Sequence, residues 1–126
     1  MAKTAARPTQ PLRILVVDDE PMLLRLTRRF LQSEGCAVHT TSNPRQALAL
    51  VQQNPHGWDL VMTDGSMPYM NGQELVDEIR DVRPEMACII MSGYHTEDSF
   101  DGELVLLAKP FSRDNMRCAV RQATED

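Results

Sequence analysis

The sequence predicts an α/β domain in which a parallel sheet is covered by helices on both faces. Three observations lead there. Five apolar runs, at residues 12–17, 36–41, 59–64, 86–91 and 104–108, have the length of strands, and several are rich in β-branched residues. Stretches with apolar residues at helical spacing alternate with these runs. Turn chemistry marks the joints, at Gly35, Asn43-Pro44, Asn54-Pro55, Asn71-Gly72, Pro84 and Pro110. Right-handed crossovers leave few topologies for such an alternation.

Taken in order, Leu12–Val17 is a buried parallel strand that closes on Asp18-Asp19-Glu20. Pro21 suits the first turn of a helix whose inner side carries Leu23, Thr27, Phe30 and Leu31, and Gly35 stops it. A shorter strand over Cys36–Thr41 follows. Asn43-Pro44 opens a second helix, with Ala47, Leu48 and Val51 facing inward. Asp59–Asp64 reads as a buried central strand with a carboxylate at its tip. Asn71 and Glu74 have the spacing of a capping box for a third helix, lined by Leu75, Val76, Ile79 and Val82 and ended by Pro84. Met86–Met91 closes at Ser92-Gly93, and Leu104–Ala108 closes at Lys109-Pro110. Ser112 caps a last helix with Met116, Ala119, Val120 and Ala123 on one face.

At 126 residues the chain suits one domain with its own core, predicted over residues 12–126 behind a flexible tail or linker at 1–11. A net charge of −5 speaks against a nucleic-acid surface as the main function. No run approaches the roughly 18 apolar residues that a membrane span needs, so no membrane insertion is expected. Met1–Pro11 lacks the apolar core of a secretory signal. Cys36, Cys88 and Cys118 are odd in number and widely spaced, which predicts reduced, partly buried thiols in a cytoplasmic protein. His39, His56 and His95 make no ligand pair.

In a parallel sheet all strand C-termini share one edge. That brings Asp18-Asp19, Asp64, Ser92 and Lys109 to one side of the molecule, each set at the tip of its own strand. Clustered carboxylates repel one another unless a cation sits among them. Oxygen donors without His or Cys favour Mg²⁺. Such a metal, facing a lysine and a hydroxyl, is equipped to stabilise a transferring phosphoryl group, with a carboxylate as nucleophile.

At this point the chain resembles the receiver domain of two-component response regulators. The resemblance rests on Val17-Asp18-Asp19-Glu20, Asp64-Gly65-Ser66-Met67-Pro68-Tyr69-Met70-Asn71-Gly72, Met91-Ser92-Gly93 and Lys109-Pro110-Phe111, in the family's order, and covers roughly residues 12 to 124. It implies a flavodoxin-like, doubly wound sheet of order 2-1-3-4-5. It also implies that Asp64 is the phosphoacceptor, and that Asp19, Asp64 and the backbone carbonyl of Ser66 bind Mg²⁺. Asp18 would act through water or orient the site. Lys109 would bind the phosphoryl group, with a cis bond to Pro110, and Ser92 would be the switch hydroxyl. The implied partner is a histidine kinase or histidine phosphotransfer protein, and a phosphorylation-dependent dimer is compatible with the family.

Several features depart from that pattern. Leu106 stands three positions before the lysine, where the family commonly has an aromatic switch residue. The stretch from Ser92 to Lys109 is shorter than usual by about a helical turn or more, and its segment His95–Gly102 is polar apart from Phe100. A shortened or disordered fourth helix is therefore expected there. Gly65 replaces a more usual apolar residue after the acceptor. A related Mg²⁺-dependent hydrolase is the competing reading, but such enzymes carry a second Asp two residues after the nucleophile, where this chain has Ser66. A third reading is a binding module of the same fold, against which the retained Asp pair, Asp64 and Lys109 argue. With no output domain expected beyond the last helix, the sequence suits a single-domain regulator or the receiver of a hybrid histidine kinase.

Overall fold

A parallel sheet covered on both sides requires its central strands to be apolar on both faces, and the chain meets that demand in a computed structural model that describes residues 11–93 and 104–125. The elements are β1 (Arg13–Val17), α1 (Pro21–Ser33), β2 (Ala37–Thr41), α2 (Pro44–Gln53), β3 (Leu60–Asp64), α3 (Gly72–Val82), β4 (Cys88–Ser92), β5 (Val105–Ala108) and α4 (Arg113–Thr124). The five strands are parallel and ordered β2-β1-β3-β4-β5, which is the flavodoxin-like order 2-1-3-4-5. The expected shortened helix at 95–102 and most of the expected tail at 1–11 lie outside the described residues.

Strand alternation splits the core in two. Leu15, Val17, Val61 and Ile90 face one side, where Ala47 and Val51 of α2 and Leu75, Val76 and Ile79 of α3 cover them. Ile14, Val16, Leu60, Met62, Ile89 and Met91 face the other, beneath Leu31 of α1 and Met116, Ala119 and Val120 of α4. Each fully buried aliphatic side chain contributes about 1.5–3 kcal/mol of transfer free energy, so both layers hold the sheet.

Local chemistry sets the helix ends. Asn71 Oδ1 accepts the Glu74 N–H at 2.8 Å while Glu74 Oε1 accepts the Asn71 N–H at 3.0 Å, the reciprocal box the spacing predicts. Ser112 makes a second box, with Asn115 in place of the usual Glu or Gln. Gly35 takes φ of +86°, the left-handed conformation that lets α1 stop, and the Cys36 N–H returns to Leu31 O at 3.1 Å. The three thiols are not all partly buried as expected. Cys118 is exposed, because it lies on the outer side of α4, while Cys36 is half-buried and Cys88 buried.

Thr27, at the centre of the inner side of α1, is fully buried, and its Oγ1 has no hydrogen-bond partner among the described residues. An orphaned hydroxyl in an apolar layer costs stability, and valine has the same shape without it. Thr27→Val should raise the unfolding free energy by about 1 kcal/mol in a urea titration. An unchanged or lowered midpoint would mean that the hydroxyl is satisfied in solution.

Candidate acidic site at the strand tips

Register brings the strand tips together. Val17 lies beside Thr41 and Thr63, Asp64 beside Met91, and Ser92 beside Ala108. The residues that follow each strand are therefore neighbours in space. Asp18 is stitched to β2 through its N–H on Thr41 O at 3.2 Å. Its Oδ1 accepts the Glu20 N–H at 3.0 Å, a local turn that leads into α1 rather than a cap on the helix itself. Asp64 ends β3, and the Gly65 N–H continues the ladder onto Met91 O at 2.7 Å before the loop departs.

Lys109 enters from the far side. Its backbone N–H donates to Ser92 O at 2.8 Å, which locks the half-buried Ser92 and the lysine to one level of the sheet edge. The Lys109–Pro110 peptide is cis. The lysine Nζ lies 3.0 Å from Asp64 Oδ1 and 3.5 Å from Asp18 Oδ2. Asp18 has no exposed side-chain surface, and the Asp64 and Lys109 side chains retain 10% and 18%. The pairs are thus largely shielded from water, and their Coulomb attraction is little screened.

Asp18, Asp19 and Asp64 each offer a carboxylate oxygen, and these oxygens all lie within 4.8 Å of one another. Oxygens around a small hard cation at 2.0–2.1 Å stand roughly 3–4 Å apart, so modest side-chain movement would let this group hold one. Asp19 is the exposed member and opens the group to solvent. The Ser66 N–H points at Asp64 Oδ1 across a long 3.5 Å. Of the residues the sequence marks, the structure groups Asp18, Asp19, Asp64 and Lys109 through their side chains. Ser92 and Ser66 join through their backbone positions.

The electrostatics follow from burial and crowding. Desolvation pushes the Asp18 carboxyl up to about 6; the Glu20 N–H opposes this, the charge of Asp64 adds to it, and Lys109 also opposes it. Asp19 is raised too, by burial first and then by its hydrogen bond and proximity to Asp64. Burial disfavours the Lys109 charge, but the bond to Asp64 and the charges of Asp18 and Asp64 outweigh it and raise its pKa.

The sequence marked Phe111 and Gly72 only as motif or turn residues, and the contacts they make are new. Phe111 stacks edge-to-face on Phe30 of α1, with ring centroids 6.5 Å apart, and so ties the segment after Lys109 to the neighbouring helix. Gly72, read as a turn residue and as the end of the motif that starts at Asp64, stands against the backbone of Asp64.

Fold and site define an α/β domain with an acidic cluster and a lysine at the carboxyl ends of its strands. The response regulator receiver domain family matches residues 14–121, and the chain belongs to that family. It is 33% identical over 118 residues to the sensor kinase CckA of Brucella abortus, covering 89% of this chain and 12% of that protein. It is also 33% identical over 121 residues to the transcriptional regulatory protein GlrR of Escherichia coli, covering 92% of this chain and 27% of the relative. A response regulator receiver domain protein from Clostridium thermocellum superposes with a TM-score of 0.83 at 30% identity, covering 90% of this chain and 94% of that one. The chain thus spans only a small part of those two curated relatives.

The raised Asp18 pKa carries a sign. Between the ordinary 3.8 and about 6 the folded chain holds a proton that the unfolded chain has lost, so this group's stabilisation is present at low pH and fades as pH rises through that window. In metal-free buffer the stability difference between wild type and Asp18→Asn should shift against wild type from pH 4 to pH 7, read by urea titration. A difference that does not vary with pH would contradict the assignment.

Proposed function

We propose that this chain is a phosphoacceptor signalling domain, in which Asp64 takes a phosphoryl group from a phosphohistidine on a histidine kinase or histidine phosphotransfer protein. The observation that carries this reading is the position of Lys109 Nζ, 3.0 Å from Asp64 and 3.5 Å from Asp18, beside a carboxylate group tight enough to share a cation. A carboxylate oxygen of Asp64 attacks phosphorus while the phosphorus–nitrogen bond of the donor breaks and its electron pair returns to the imidazole. The product is an acyl phosphate on Asp64.

Mg²⁺ fits the all-oxygen donor set, and when bound it supplies positive charge to the phosphoryl oxygens. Asp19 and Asp64 would hold it directly, with the Ser66 carbonyl as a third protein ligand. Asp18 is already engaged by the Glu20 N–H and Lys109, which suits an orienting or water-mediated part. Lys109 pairs with one phosphoryl oxygen and the Ser92 hydroxyl donates to another. The new charge, about −1.5 to −2, draws both groups and biases the surface of the domain. Leu106 is half-buried and cannot reproduce the aromatic switch, so transmission uses other groups.

The domain acts as a signalling element rather than as a turnover enzyme; Ser66, where hydrolases carry a general acid, speaks for this. We place it in the cytoplasm with no nucleic-acid contact of its own, and a dimer formed on phosphorylation is compatible with the reading. Among the described residues no helix is long and apolar enough to cross a membrane. Similarity to the sensor kinase CckA supports the receiver of a hybrid kinase as its setting.

Incubation with a small acyl-phosphate donor and Mg²⁺ should add one phosphoryl group by intact mass, and Asp64→Asn should abolish the gain. Absence of any gain in wild type would refute the proposal. Continuous phosphate release from unrelated monoesters would favour a hydrolase instead.

A further inference from the structure

Helix α3 begins against the proposed phosphoacceptor, and the contact leaves no room for a side chain. A Cβ built on Gly72 would lie 2.6 Å from Asp64 O, 3.0 Å from Gly65 Cα and 3.3 Å from Asp64 C. All three are backbone atoms, so no rotamer change relieves the collision. The Gly72 N–H meanwhile donates to Gly65 O at 3.1 Å, pulling the helix start and the strand tip together. Gly72 is helical and, unlike Gly35, has no positive φ. Space rather than conformational freedom demands glycine here.

Neither partner in this contact can yield cheaply. Asp64 is paired with Met91 in the sheet, and the Gly65 N–H is held by Met91 O at 2.7 Å. Helix α3 is anchored by the fully buried Leu75, Val76 and Ile79 and by the Asn71–Glu74 box. Between these two fixed bodies runs the loop 65–71, which carries Ser66. With both flanking bodies held, added bulk at position 72 falls on that loop.

We infer that Gly72 is a positioning residue, whose missing side chain sets the separation of Asp64 from the Ser66 turn and so the geometry of the proposed cation and phosphoryl site. This rests on the phosphoacceptor reading. A methyl group at 72 displaces the loop, and Ser66 moves away from the place at which its carbonyl would meet the cation shared with Asp64.

The test compares Gly72→Ala with Val76→Ala, a core change in the same helix that leaves the Asp64 contact intact. Both are measured under conditions where each is folded by circular dichroism, with trimethylamine N-oxide added if needed to favour the compact state. Gly72→Ala should displace the backbone amide resonances of Asp64, Gly65 and Ser66. It should weaken Mg²⁺ binding at least fivefold and slow acyl-phosphate-driven phosphorylation at saturating Mg²⁺ at least tenfold. Val76→Ala should stay within twofold of wild type in both. Equal behaviour of the two variants, or a Gly72→Ala chain that does not fold even with the osmolyte, would reduce Gly72 to a structural role and overturn the inference. If wild type itself takes up no phosphoryl group, the phosphoacceptor reading falls, while the amide displacement and Mg²⁺ affinity still decide on Gly72.

Discussion

The contact between Lys109 and the carboxylates of Asp64 and Asp18 is the constraint around which the rest is arranged. Three carboxylates within reach of one another repel, and burying Asp18 completely makes the repulsion costly. The lysine offsets part of that cost, and it does so from a strand two positions away in the sheet. Its reach depends on the register that holds Lys109 N on Ser92 O and on the packing of Phe111 against Phe30. A site under this electrostatic load favours any further cation that enters. That is the property a Mg²⁺-assisted phosphoacceptor requires.

The two-layered core is what makes the load tolerable. Strands buried on both faces keep the strand tips from moving apart, and the helices attach where the tips end. Helix α1 starts from the turn made by Asp18 and Glu20, and α3 starts against Asp64 itself. Site and scaffold therefore share backbone. Bulk added at a helix start would press on the backbone that carries the carboxylates, and in that sense Gly72 belongs to the proposed site although it carries no functional group.

Much of this was legible in the sequence wherever the signal was local. The Asn71–Glu74 box, the stop at Gly35 and the buried faces of the helices depend on neighbours within a few residues, and they stand where periodicity and capping rules put them. Strand limits were less sharp. Met86 and Ala87 read as strand, yet β4 starts at Cys88, because the Met86 N–H turns back to Arg83 O before pairing begins. Asn115 went unread as a capping partner since Glu or Gln is the usual residue there. Gly72 lay beyond sequence reasoning for a different reason: its meaning is a distance to Asp64 across a loop, and no spacing rule encodes that. Strand tips gave the candidate site its members, but only the register could set Lys109 at 3.0 Å from Asp64.

Lys109 and a divalent cation would compete for the same carboxylate charge, which calorimetry tests directly. Titrating Mg²⁺ into wild type, Asp19→Asn and Lys109→Ala should give saturable binding in wild type. Binding should be lost, or weakened more than tenfold, in Asp19→Asn and severalfold tighter in Lys109→Ala. Mg²⁺ affinity indifferent to both substitutions would contradict the claim that these side chains form one electrostatic site.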